Sequence, residues 1–226
     1  MKKIFLFLLI FSSIFAQEKD PNKILDQVKE RFDKIKDYTV DATIIVNVDF
    51  LKVPKSTAKI YFKQPDKLHL ESEGFAMLPK AGLNFSPTKM LSTNHDAIFV
   101  RTENTNNRDV DVIKVIPSDD TSEVILSTLW IDKDEHVIIK VESTTKHAGT
   151  FQMEMKYDET YKIGLPSEVK FSFNVADMQM PKQMMHDQNN NPKKRDAGMK
   201  GTVVVKYKNY KVNSGLSDKL FEEKKK

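Results

Sequence analysis

Apolar residues keep two different periods along this chain, and each period predicts a different element. Between Asp20 and Lys36, the residues Ile24, Leu25, Val28, Phe32 and Ile35 recur at three- and four-residue spacing. That spacing puts them on one face of an amphipathic helix of about four turns. Asp20 can cap the free amides at its start, and Pro21 suits the first helical position because its missing N–H would have no partner there. From Val40 onward the period drops to two: Val40, Ala42, Ile44, Val46, Val48 and Phe50 alternate with Asp41, Thr43, Asn47 and Asp49. Such alternation predicts a strand with one buried face.

The same rhythm returns at Ala58, Ile60 and Phe62, at Leu68 and Leu70, and at Val137, Ile139 and Val141. It returns again in Phe151, Met153, Met155 and Tyr157, in Val169, Phe171, Phe173 and Val175, and in Val203, Val205 and Tyr207. Residues 88–93, 96–102, 109–116 and 123–132 also look extended, but their alternation slips and no face can be assigned. Turn signals separate the segments: Gln64-Pro65-Asp66, Asn104 to Arg108, Asp132 to Glu135, His147 to Gly149, and Gly164 to Pro166. Ten or eleven strands with mainly short connections predict an antiparallel meander, mainly β, in one domain.

Two stretches break the rhythm. Residues 74–87 form an apolar loop bearing Phe75, Met77, Leu78, Leu83 and Phe85, and residues 176–200 form a polar loop dotted with methionine. Connections of that length are usually functional or disordered. The first reads either as a cap on the core or as a lid over the mouth of the sheet.

Counting the apolar residues exposes an imbalance. The seven clear strands supply 25 inward apolar residues and the single long helix supplies five. Ten strands about 4.8 Å apart make a sheet roughly 45 Å wide, whereas a helix about 10–12 Å across covers two or three of them. The sheet must therefore curl on itself, pack as a sandwich, or leave an apolar cavity for a ligand. A closed core and a ligand cavity both satisfy this requirement.

Composition narrows the setting. Lys2 and Lys3, the apolar run from Ile4 to Phe11 and the small residue Ala16 form the pattern of a secretory signal peptide, with cleavage expected near Ala16 and a mature domain over 17–226. The apolar run is too short to span a bilayer. Losing Lys2 and Lys3 lowers the formal charge from +4 to +2, which leaves no basis for a nucleic-acid surface. There is no cysteine, so the fold must rest on packing alone.

Candidate chemistry is sparse, and no cofactor is expected. His69, His95, His136, His147 and His186 show no zinc-ligand spacing. The pairs Glu71/Glu73 and Asp109/Asp111 read as solvated strand faces rather than catalytic acids. The rival site is the methionine loop, where Met178, Met180, Met184, Met185, His186 and Met199 offer thioether and imidazole ligands of the kind Cu(I) favours. The basic clusters Lys193–Arg195 and Lys224–Lys226 read as solubilising charge, with transient contact to anionic headgroups as the alternative.

In order, the segments KIKDYTVDATIIV, STAKIYFKQPDKLHLE, STLWIDKDEHVIIKVE, MKYDETYKIGLPSEVKFSF and YKVNSGLSDKLFE resemble the periplasmic lipoprotein carrier and outer-membrane lipoprotein-sorting superfamily. The resemblance implies an incomplete, half-open antiparallel β-barrel wrapped over helices, with a hydrophobic cavity for the acyl chains of lipids or lipoproteins. It implies a non-enzymatic periplasmic carrier whose partners would be a releasing complex at the inner membrane and an acceptor at the outer membrane. The family also contains an envelope stress sensor, so an interaction domain is the alternative.

On this reading the cavity is lined by Val40, Ala42, Ile44, Val46, Ile60, Phe62, Leu68, Leu70, Ile139, Phe151, Met153, Met155, Phe171 and Phe173, with Phe75, Met77, Leu78 and Phe85 from the apolar loop. Carriers of the family place an Arg directly before the Pro of the FKQPDK turn, where it helps hold the lid shut; Gln64 stands there in this chain. A neutral amide cannot reproduce the charge and fixed donors of Arg. Hydrophobic binding therefore carries over, and an Arg-latched cycle does not.

Overall fold

The computed structural model describes residues 19–48, 53–72, 91, 94–147, 149–174 and 200–222. Helix α1 spans Pro21–Asp33, and Asp20 caps it by accepting a hydrogen bond from the Asn22 amide. Leu25, Val28 and Phe32 form its buried stripe, as their spacing predicts.

Ten strands follow: β1 (Asp37–Val48), β2 (Ser56–Lys63), β3 (Lys67–Ser72), β4 (His95–Thr105), β5 (Arg108–Pro117), β6 (Val124–Asp132), β7 (Ile138–Thr145), β8 (Thr150–Lys156), β9 (Glu168–Asn174) and β10 (Lys200–Val212). They form one antiparallel sheet in the order β3-β2-β1-β10-β9-β8-β7-β6-β5-β4. That order is a ring of consecutive strands cut between β3 and β4. The pairing of β1 with β10 joins the first and last strands, and β3 and β4 are the edge strands among the described residues. The half-open barrel expected from the sequence is thus the observed architecture, with its seam at one defined place.

Helix contacts require the sheet to curl. Arg31 reaches Glu135 in the β6–β7 turn and the Tyr161 carbonyl between β8 and β9, while the carbonyl of the adjacent Phe32 accepts from Gln64 at the end of β2. In a flat sheet β2 and β6–β7 would lie about 24–29 Å apart. A helix with its side chains is only about 10–12 Å across, so the sheet must wrap around α1 for both contacts to form. The inner face accordingly makes one continuous core that includes Leu25 and Val28 of α1, Ile44 and Ile60 of β1 and β2, and Ile113 and Leu129 of β5 and β6.

Where the alternation slipped, the structure supplies reasons. β4 carries a bulge between Phe99 and Arg101, which inserts an extra residue and reverses the phase. β5 buries both faces, with Val110 and Val112 outward and Ile113 and Val115 inward, so its apolar residues keep no single phase. In β7 Val137 and Val141 are buried as expected, while a register shift opposite Trp130 and Ile131 puts Ile138 fully in the core and leaves Ile139 half-buried against it. Leu91, inside the stretch expected to be extended, is helical and buried. The β4–β5 turn confirms its sequence signal: Asn106 and Asn107 both take positive φ, as a two-residue hairpin turn requires.

Candidate ligand-binding face

The two ends of the curled sheet differ in how they are closed. At one end lie the β2–β3, β4–β5, β6–β7 and β8–β9 connections, together with the last turn of α1 and the tail after β10. Phe32, Ile35, Phe62 and Leu165 make a second small core there. Tyr38 stacks on Phe62 at 5.0 Å and meets Tyr210 at 5.7 Å, while Tyr157 stacks on Tyr161 at 5.1 Å. Burial pushes the Tyr38, Tyr157, Tyr207 and Tyr210 phenols far above their ordinary range, so all four remain neutral.

Polar contacts fasten this closed end. Gln64 Nε2 donates to the carbonyls of Phe32 (3.1 Å) and Ile35 (2.7 Å), adding a second partner to the Phe32 carbonyl, which already accepts from the Ile35 amide, and bonding the chain just past α1. The residue in the latch position thus ties the helix to β2. Arg108 pairs with buried Asp132 at 2.9 Å, and its guanidinium lies 3.9 Å from the centre of the Tyr161 ring. Asp37, 4% exposed, accepts from the Ser214 amide and hydroxyl through one oxygen and from the Gly215 and Leu216 amides through the other. Burial pushes its carboxyl pKa up, but these donors outweigh that and hold it below the ordinary value. Lys19, just before α1, pairs with Asp111 of β5 at 2.6 Å and donates to Thr102 of β4.

The inner face changes character toward the opposite end. Pairing registers align it in rungs that run from β4 through β10 to β1. Toward the closed end, Met155, Val169, Val205 and Ile44 are register partners in one rung, and Ile131 pairs with Ile138 on β6 and β7; all six are buried. The next contains Phe99, Ile113, Leu129, Val141, Met153, Phe171, Val203 and Val46; only its terminal members, Phe99 and Val46, are half-exposed. The outermost contains Ala97, Val115, Ser127, Ser143, Phe151, Phe173, Gly201 and Val48, and half of these are partly exposed: Ala97, Phe151, Phe173 and Val48. Burial therefore loosens step by step away from α1, leaving apolar side chains accessible at one end. Phe151, Phe171 and Phe173 make an aromatic strip there, with ring centres 5.3 and 5.4 Å apart.

Gly201 shapes the strip. A Cβ built on it would lie 2.5 Å from two ring carbons of Phe173, so the bare backbone of β10 lets that ring lie across it. The strand ends flanking both long loops, Ser72 and His95 for the first, Asn174 and Lys200 for the second, belong to this same open end.

No protein-family model and no curated protein matches the sequence. In fold, the chain is similar to a domain described as an outer membrane lipoprotein-sorting protein from Vibrio parahaemolyticus, with a TM-score of 0.58 at 13% identity over 89% of this chain and 97% of that one. A LolA superfamily protein from Nitrosomonas europaea gives 0.54 at 12% identity, covering 91% and 98%. The chain shares the fold of these two proteins.

Within this sheet the expected lining residues separate into two groups. Val40, Ala42, Ile44, Ile60, Phe62, Met153, Met155 and Phe171 are closed core. Val46, Leu68, Leu70, Ile139, Phe151 and Phe173 are half-buried, and all but Ile139 lie on the inner rungs or the β3 edge in the expected phase. Phe75, Met77, Leu78, Phe85 and the copper candidates Met178, Met180, Met184, Met185, His186 and Met199 lie outside the described residues, as does the signal segment. Among the described residues no three His, Asp or Glu side chains cluster as a metal site, and no helix is long and apolar enough to cross a membrane. Sequence reasoning missed Gly201, the inward Ser127 and Ser143, and the Asp37 clamp. Period-two counting looks for apolar residues, and these four are polar or lack a side chain.

Proposed function

We propose that this protein is a periplasmic, non-enzymatic binding protein of the carrier type. It holds acyl chains of a lipid or lipoprotein against the outer rungs of its inner face and moves them toward the outer membrane. The supporting observation is the gradient along one apolar face: sealed by α1, Gln64 and the aromatic cluster at one end, and lined by half-exposed Val46, Phe99, Phe151 and Phe173 at the other. The two outer rungs, at about 3.3 Å per residue and two residues per rung, offer roughly 13 Å of apolar track, the length scale of much of an acyl chain. A face of this kind suits flexible hydrocarbon because binding comes from non-directional burial at roughly 25 cal/mol per Å². A carrier cycle would need a donor at the inner membrane and an acceptor at the outer membrane.

A fatty acid bearing a terminal photoreactive group tests the placement. Cross-links should map to peptides containing Phe151, Phe173 and Val46. Labelling confined to outward-facing positions such as Lys114 and Lys170, or no labelling above a serum-albumin-blocked control, would contradict it.

A further inference from the structure

The outermost rung contains a polar pair inside an otherwise apolar surface. Ser127 on β6 and Ser143 on β7 are register partners, their hydroxyl oxygens 2.7 Å apart and their residues 4% and 3% exposed. Two hydroxyls carry two protons, and the bond between them uses one. The second proton has no acceptor among the described residues. A buried donor without a partner is unfavourable, and two apolar side chains would pack the same rung without that cost. Along the rung the pair is bracketed by half-exposed positions, Ala97 beyond Val115 on one side and Phe151 and Phe173 on the other.

We infer that the Ser127–Ser143 pair is a polar anchor that donates a hydrogen bond to the carbonyl oxygen of an acyl ester or amide, so that the site selects acylated ligands over plain hydrocarbon. One serine donates to the other, and the second donates outward; the first bond polarises the second hydroxyl and strengthens it as a donor. A hydrocarbon tail offers no acceptor and would leave the proton stranded. This inference rests on the reading of the outer rungs as an acyl-chain site, and it adds the chemical class that site prefers.

The test measures displacement of N-phenylnaphthylamine from the full mature protein by methyl dodecanoate and by dodecane. In the Ser127→Ala/Ser143→Ala double variant, which strands neither hydroxyl, affinity for the ester should fall about 5–10-fold while affinity for dodecane holds. An unchanged ester-to-alkane ratio overturns the anchor. Infrared spectroscopy of carbonyl-labelled ester bound to the wild type is independent of how the variant folds: the stretch should lie below its position in alkane solvent, and a stretch at the alkane position overturns the anchor. Displacement by neither compound in the wild type overturns both the anchor and the acyl-site reading beneath it, whereas displacement by both with no discrimination overturns the anchor alone.

Discussion

Replacing Asp37 with Asn should destabilise this protein more than its position at the start of a strand suggests. The carboxylate accepts four hydrogen bonds from the tail, at 2.8 and 3.1 Å from Ser214, 2.9 Å from Gly215 and 3.3 Å from Leu216. An Asn keeps one acceptor oxygen and turns an NH2 group toward the other two donors. Hydrogen bonds to charged groups contribute about 1.5–3 kcal/mol each, so losing two and facing donor against donor comes to roughly 3–5 kcal/mol. In a chain of this length about 1 kcal/mol moves Tm by roughly 2–4 °C, which predicts a fall of roughly 6–20 °C. The acid dependence follows from the sign of the shift. The folded-state pKa of Asp37 lies below its unfolded value of about 3.9, so the unfolded chain binds the proton first. The contribution is complete above the unfolded value and is lost as pH falls through the folded one. Thermal unfolding followed by circular dichroism at neutral pH, and then stepwise into acid, measures both effects. Asp37→Asn should unfold at lower temperature near neutrality and lose part of the wild-type acid slope. A Tm within about 2 °C of wild type, with the slope intact, would refute the clamp.

Gly201→Ala should push the Phe173 ring off β10, costing about 1–3 kcal/mol in denaturant unfolding and weakening fatty-acyl probe binding; unchanged binding would mean that Phe173 does not shape the site. Gln64→Leu removes a donor from the Phe32 and Ile35 carbonyls and should cost about 1–2 kcal/mol. Hydrogen exchange in the last turn of α1 should rise while probe affinity at the far end stays constant, and a loss of affinity instead would indicate that Gln64 acts as a ligand latch. Arg108→Met leaves the Asp132 carboxylate, whose side chain is 1% exposed, with only the Asp134 and Glu135 amides as donors, and should cost about 2–4 kcal/mol. Adding Asp132→Asn should recover part of that in a double-mutant cycle, and strict additivity would show that the pair is not coupled.

The helix, most of the strands and the curvature of the sheet were readable because each depends on a local period or on simple geometry. Asp20 and Pro21 start α1 as their chemistry dictates, and inward phases at Val40–Ile44, Ala58–Phe62 and Phe151–Met155 hold residue for residue. Where reading failed, a tertiary cause is visible. Bulges in β4 and at the β6–β7 pairing reset the count without leaving a signature in composition, and Ile139 is left half-buried for that reason. β5 gave no phase because outward Val110 and Val112 are covered as fully as inward Ile113. The resemblance named the fold, but the gradient of burial along the rungs follows from where α1 stops covering the sheet. No sequence period encodes that boundary. Likewise Asp37 and Asn213 lie far apart in the chain, and only the β1–β10 pairing brings the clamp together.

Lipid extraction followed by mass spectrometry, on protein purified from cell envelopes without detergent, tests acyl binding most directly. A half-barrel with an occupied inner face should release acyl-bearing lipid or lipoprotein at near-stoichiometric amounts, and Phe173→Asp should reduce that yield sharply. A ligand-free protein that also takes up no fatty-acyl probe would contradict the reading and return the inner rungs to the role of plain core.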